Sequence, residues 1–331
     1  MTDDAMKAGV IGVGSMGQNH VRVYDELSET DLVGVFDVEA ERAADVAEEY
    51  GTTARSLEDL FDVADIVSIA VPTQFHYENA KRALQSDVHV LVEKPFVADP
   101  KNGRELIELA DDRGLTLQVG HIERFNPAVQ TLRTLIDDLN IYAVSTERVG
   151  PPIDRAIDDS VVMDLMIHDL DIVLDIVDGD VDSYNAVGTP DCRYATANLS
   201  FDSGVTASLT TSRVTQEKVR GLTISAEDCR VKVDYIDQRI EIHRSSVPTH
   251  IDDESLVRHR HENFVETLTV GEVEPLKSEL ESFAHAAKTG TEPVVDGEQG
   301  LRVLKLTKSL DEAAQSDADI DHRVQVDAPS R

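Results

Sequence analysis

From Lys7 to Gly120, short β-branched apolar runs alternate with longer stretches whose apolar residues recur every three or four positions. The runs Lys7–Ile11, Asp31–Phe36, Ile66–Val71, Val88–Val92 and Thr116–Val119 predict strands. Asn19–Leu27, Glu39–Glu49, Phe75–Leu84 and Pro100–Arg113 predict the helices between them. Strands separated by such helices need crossover connections, hence a doubly wound parallel sheet covered on both faces. After His121 the pattern changes. Pro127–Asp138 reads as helix, Ile141–Val149 as strand and Val161–Val177 as one long helix. Strand candidates then follow one another at Val181–Val187, Tyr194–Phe201, Val205–Thr211, Leu222–Ala226, Arg230–Tyr235 and Arg239–His243, with turns at Asp202-Ser203-Gly204 and Glu227-Asp228. Ser246–Ser255 lacks periodicity and reads as a mobile loop. Helices return at Pro275–Lys288 and Glu298–Ala314, the second with Asp296 as N-cap and Gln299 three residues on. The expected architecture is an α/β domain over residues 1–121 and an α+β domain with a mostly antiparallel sheet over 122–331, whose last helices can return to the first domain.

Composition narrows the function classes. The 331 residues are 41% hydrophobic, enough for a sizeable core, and no apolar run approaches the ~18 residues of a membrane span. Met1-Thr2-Asp3-Asp4 lacks the basic and apolar regions of a signal peptide, and Cys192 and Cys229 cannot build a disulfide framework or a four-thiolate zinc site. A soluble cytoplasmic protein is expected. Sixty-four Asp and Glu against 31 Lys and Arg leave a net charge of −33. Surface scaling puts roughly one uncompensated negative charge on every 400 Å², which repels nucleic acid and anionic membrane alike. It also repels itself unless salt screens it, so the composition predicts a halophilic protein.

Gly12-Val13-Gly14-Ser15-Met16-Gly17 follows the first strand and opens a helix, the context in which Gly-x-Gly-x-x-Gly binds a dinucleotide. Asp37, 20 residues after Gly17, ends the second strand, where a carboxylate accepts the ribose hydroxyls and repels a 2′-phosphate. No arginine stands immediately beside it; Arg42, five residues on, joins the candidate cofactor contacts. NAD is the expected cofactor, although Asp37 could serve only as a helix cap. Lys94, in Glu93-Lys94-Pro95 at the end of the fourth strand, reaches the crevice where such sheets bind ligands. Asp164 and His168, four apart on a helix, share a face, and His168 suits proton abstraction near neutral pH. Asp171 and Asp175 continue that face, so a metal cluster or a plain acidic surface are rival readings, and no metal is expected. Arg258-His259-Arg260-His261 reads as surface.

These motifs, with Val71-Pro72-Thr73, His76, Glu274-Pro275-Leu276-Lys277-x-Glu279-Leu280, Gly297 and Gly300, resemble the glucose–fructose oxidoreductase and inositol dehydrogenase (Gfo/Idh/MocA) family over nearly the whole chain. The resemblance implies a Rossmann domain beside an open-faced sheet domain that lines the substrate site and pairs subunits, as a homodimer or homotetramer. It implies Lys94 and His168 as catalytic pair, Asp164 as substrate contact, and Pro72, Thr73, His76 and Glu93 near the cofactor. Val161-Val162-Met163 stand where many members have glycine before the Asp. Gly120–Pro127, Arg148-x-Gly150-Pro151 and Asp164–Asp169 resemble the nucleotide-sugar members, which implies oxidation of UDP-N-acetylglucosamine to its 3-keto form. A free monosaccharide or inositol is the alternative substrate, and a sugar-responsive NAD-binding regulator the more distant alternative. A diphosphate needs local cations, so Arg124, Arg148 and Arg155, with Asn126, are the candidate substrate contacts. The competing reading has Arg124 capping the helix at Pro127 and the other two pairing with Glu147, Asp154 or Asp158.

Overall fold

The computed structural model describes residues 5–152, 159–245, 249–253, 256–260, 263–271 and 273–316. The N-terminal half contributes β1 (Met6–Ile11), β2 (Thr30–Phe36), β3 (Ile66–Ile69), β4 (His89–Glu93) and β5 (Leu117–Gly120) to one parallel sheet of order β2-β1-β3-β4-β5. Helices α1 (Ser15–Glu26), α2 (Ala40–Glu49), α3 (Leu57–Phe61), α4 (His76–Gln85) and α5 (Pro100–Arg113) make the crossovers. The order reverses between β1 and β3, the switch point at which doubly wound sheets open a ligand crevice. Helix α3 lies outside the periodic pattern because it is a single turn, started by Ser56 accepting the Asp59 N–H.

The second sheet has eight strands: β6 (Ile141–Val149), β7 (Val181–Gly188), β8 (Tyr194–Phe201), β9 (Thr206–Ser212), β10 (Val219–Ala226), β11 (Arg230–Asp234), β12 (Arg239–Ser245) and β15 (Asn263–Thr269). Between the last two, β13 (Thr249–Asp253) and β14 (Leu256–Arg260) form a separate antiparallel ribbon. Thus the stretch expected to be a loop carries a strand, and Arg258-His259-Arg260 belongs to its partner. The sheet order is β15-β12-β11-β10-β6-β9-β8-β7, antiparallel except for the parallel β6–β9 pair. Burial alternates along the middle of its central strands. Val144, Thr146, Leu209, Leu222 and Val231 are buried on one face, while Ser145, Glu147, Ser208 and Lys232 are exposed on the other.

Helices α6 (Pro127–Ile136) and α7 (Ile167–Ile176) pack on the buried face, together with α9 (Gly297–Ser316). Helix α8 (Pro275–Thr289) lies against α1, and its Leu276, Leu280 and Phe283 join the core of the N-terminal sheet. The expected cap of α9 is reciprocal: the Gln299 N–H donates to Asp296 at 2.7 Å, and the Asp296 N–H to Gln299 at 3.3 Å. The single long helix expected from Val161 to Val177 is instead a π-helical turn, Val162–Met166, running into α7. Among the described residues, no helix is long and apolar enough to cross a membrane.

Candidate active site

The carboxyl ends of the parallel strands gather the candidate cofactor residues. Gly12 holds φ at +88°, and a Cβ there would meet Val71 Cγ1 at 2.6 Å. At Gly17 a Cβ would lie 1.8 Å from the Gly12 carbonyl oxygen, so only glycine lets α1 start this close to β1. Gly14 opens instead onto clear space, with nothing within 4 Å of such a Cβ, and no side chain caps the helix. The first-turn N–H groups at Ser15, Met16 and Gly17 therefore remain available to a phosphate, at the positive end of the helix dipole. This cradle fits a dinucleotide diphosphate.

Asp37 accepts the Val13 N–H on one oxygen and the Glu39 N–H on the other, each at 2.9 Å. It therefore both ties the glycine loop to β2 and caps the turn into α2. Arg42 lies 3.3 Å from Asp37 and 2.5 Å from Glu39, so its charge is engaged by carboxylates rather than free for a 2′-phosphate. Val38 beside them is 88% exposed, an apolar side chain placed where an adenine ring could cover it. Pro72 and Thr73 open a 3₁₀ turn, Thr73–Phe75, after β3. His76 and Glu93 are both held by other groups of the protein. His76 is buried, with Nδ1 2.9 Å from the Pro95 carbonyl and Nε2 2.8 Å from that of Val71, so it pins two crevice loops together. Glu93 is buried against His20 of α1 at 2.9 Å. Burial alone would raise its pKa, but the His20 bond and the nearby Lys94 and His76 hold it below the usual range. The equally buried Glu279 of α8 behaves oppositely: burial and the charges of Glu93 and Asp171 push it well above the usual range.

The catalytic candidates converge. Lys94 Nζ donates to the Asp164 carbonyl at 2.9 Å and to its carboxylate at 3.0 Å. The other Asp164 oxygen accepts Arg213 at 2.5 Å. Burial would raise the Asp164 pKa, but Lys94 and Arg213 keep it below the ordinary range, as a carboxylate. The π turn separates the two residues: Asp164 lies within it, against Lys94, while His168 lies in the first turn of the regular α7. His168 is held neutral, first by burial and then by Lys94, Arg148, His121 and Arg220. Its Nδ1 is buried without a hydrogen-bond partner.

The expected substrate cations are placed differently. Arg124 is 2% exposed and pairs with Asp171 at 2.7 Å and Asp175 at 2.5 Å. Arg148 is 4% exposed, bidentate on Asp169 at 2.8 and 3.1 Å, and 2.8 Å from Glu123. Neither guanidinium is free for a substrate phosphate. Asn126 is buried as well; it caps α6 through the Ala128 N–H and donates to the Tyr235 carbonyl. Arg155, Asp154 and Asp158 lie outside the described residues. With Asp171 and Asp175 engaged by arginine, the carboxylate face does not assemble as a metal site, and the described residues hold no group of three ligands elsewhere. His20, Arg213 and Arg220 sit in no motif of the sequence. For the two arginines the sequence offers only a cation in a strongly acidic chain.

A cradle that fits a dinucleotide diphosphate, the Asp37 carboxylate beside it, and a lysine and histidine at the sheet's carboxyl edge belong to an NAD-binding oxidoreductase acting on CH–OH groups. Residues 6–121 match the model of the oxidoreductase family GFO/IDH/MocA, NAD-binding Rossmann fold, and residues 142–245 match that of the family's C-terminal domain. The chain belongs to this family. It is 37% identical over 304 residues to the UDP-N-acetylglucosamine 3-dehydrogenase of Acidithiobacillus ferrooxidans, covering 90% of this chain and 94% of that one. It is 26% identical over 322 residues to an inositol 2-dehydrogenase of Rhizobium meliloti, covering 91% and 94%. A crystal structure of the Acidithiobacillus enzyme superposes with a TM-score of 0.85 at 35% identity, over 94% of this chain and 98% of that one.

Proposed function

We propose that the chain oxidises the C3 hydroxyl of UDP-N-acetylglucosamine to a ketone. The observation that carries the chemistry is the Lys94–Asp164 contact beside a neutral His168, at the crevice edge below the glycine loop. His168, through its second ring nitrogen Nε2, takes the hydroxyl proton. Lys94 donates a hydrogen bond to the same oxygen and stabilises the charge that develops there. Asp164, shared between Lys94 and Arg213, fixes the ammonium group and can accept a neighbouring sugar hydroxyl. NAD, when bound, supplies the hydride acceptor. The substrate is carried by the similarity to the Acidithiobacillus enzyme, which extends over both domains. As further parts of the same reading, the chain works in a cytoplasm rich in salt and pairs with copies of itself through the exposed, Ser- and Thr-lined face of the second sheet.

The test follows NADH absorbance in concentrated KCl. UDP-N-acetylglucosamine yields NADH, whereas free N-acetylglucosamine, xylose and inositol yield little. Lys94→Ala keeps NAD affinity near wild type while turnover drops at least ~10²-fold. NADH from the free sugars alone, or turnover retained in Lys94→Ala, would refute the assignment.

A further inference from the structure

With Arg124 and Arg148 engaged by buried carboxylates, the diphosphate of a nucleotide sugar needs another cation. Arg220 stands directly across from Arg148 in the β10–β6 pairing, so both project from the same face of the sheet, toward α7. Their circumstances differ. Arg148 is answered by Asp169 and Glu123, whereas Arg220 donates only Nη1, to the carbonyl oxygens of Val149 at 2.6 Å and Val219 at 2.7 Å. Among the described residues no carboxylate pairs with it. Partial burial and the facing charge of Arg148 oppose its protonated form, and Asp169, Glu123 and Asp164, none of them bonded to it, offset this only in part. Carboxylates outnumber cations about two to one in this chain, so Arg220 does not lack a partner for want of acids. A half-buried guanidinium facing another is costly unless an anion completes it.

Its surroundings fit that anion. Gly150 leaves a notch beside it, where a Cβ would lie 3.9 Å from Arg220 Nη2 and 4.0 Å from Lys218 Cγ. Lys218 is exposed and adds a second cation on the same side. Arg220 faces Arg148, whose guanidinium is gripped by Asp169, the residue after His168, so an anion held there lies on the side of the sheet that carries the catalytic residues. We propose that Arg220, seconded by Lys218 across the Gly150 notch, is the diphosphate subsite that makes this enzyme select nucleotide sugars over free sugars. This rests on the nucleotide-sugar reading above.

UDP, which carries the diphosphate without the sugar, is the probe. Calorimetric titration of the full chain in concentrated KCl measures its Kd without turnover. Arg220→Gln weakens UDP, and raises KM for UDP-N-acetylglucosamine, by about 10- to 100-fold, the loss of a charge-assisted bidentate contact. KM for NAD stays within about twofold, since the cofactor phosphates lie on α1. Lys218→Gln, at an exposed position, weakens UDP about threefold and carries the test should Arg220→Gln not fold. Wild-type UDP affinity in either folded variant overturns the subsite. The two readings fail separately. If the wild type oxidises UDP-N-acetylglucosamine and Arg220→Gln binds UDP normally, only the subsite falls. If the wild type binds UDP through Arg220 but oxidises no UDP-sugar, only the activity falls.

Discussion

In the proposed oxidation His168 is the base, and it is kept neutral before the substrate arrives through position rather than through a partner. Burial acts first, and the surrounding cations Lys94, Arg148 and Arg220, with His121, add to it. A lowered pKa in the folded enzyme means that the base stays competent as pH falls past the ordinary histidine value. Protonation, and with it loss of activity, comes only below that value. The acid limb of kcat/KM for UDP-N-acetylglucosamine therefore lies below about 6.5, the unperturbed histidine value. A limb at or above it would show that the histidine is solvated, and would remove it as the base. Lys94 contributes twice at this scale, by holding Asp164 ionised and by helping keep His168 uncharged.

Between elements, β6 and α7 are joined by charge as much as by apolar packing. Arg148 on β6 grips Asp169 at the start of α7, next to His168, and its guanidinium lies over the Tyr235 ring at 5.6 Å. Removing one partner leaves the other buried and uncompensated, so Arg148→Met lowers unfolding free energy by about 3–5 kcal/mol. Arg148→Met combined with Asp169→Leu recovers most of that loss, which urea denaturation measures directly. Loss of UDP affinity without loss of stability in Arg148→Met would return this arginine to the substrate site. The same elements show where sequence reading succeeds and where it stops. The parallel strands, Pro100–Arg113 and the Asp296 cap of α9 are local: the alternation, an N-terminal proline and a capping residue lie within a few positions of each other. That Asp37 meets the glycine loop and Lys94 meets Asp164 is legible because each sits at a motif position. The roles of Arg124, Arg148, Asn126, His76 and Glu93 depend on partners from Asp171 to His20 that are distant in sequence. The π turn at Val162–Met166 left no trace in the periodicity, because one added residue looks like ordinary helical drift over so short a span.

For the whole molecule the governing quantity is the net charge of −33. Many surface cations are already held: Arg22 by Glu274, Lys81 by Glu105, Arg82 by Glu58, Arg104 by Glu298 and Arg302 by Asp180. Two of these pairs, Arg22–Glu274 and Arg104–Glu298, fasten the start of α8 and α9 to N-terminal helices, yet exposed pairs contribute only about 0–1 kcal/mol each and weaken in salt. The surplus carboxylates have no such partners. Helix α2 alone presents Glu41, Asp45, Glu48 and Glu49 on its exposed side against the single Arg42. Added salt thus acts in two directions, loosening the few pairs and quieting the many like-charge repulsions. The two-to-one excess of acids decides the sign, because screening shrinks from about 10 Å at 0.1 M to about 3 Å at 1 M and silences most of the repulsion. The melting temperature therefore rises between ~0.1 M and ~2 M KCl. Chloride is the salt to use, because sulfate or phosphate would strengthen apolar burial in any protein and obscure the charge effect. A melting temperature equal at both concentrations would mean that the pairs and the surplus cancel, and that the acidic surface is no adaptation to salt.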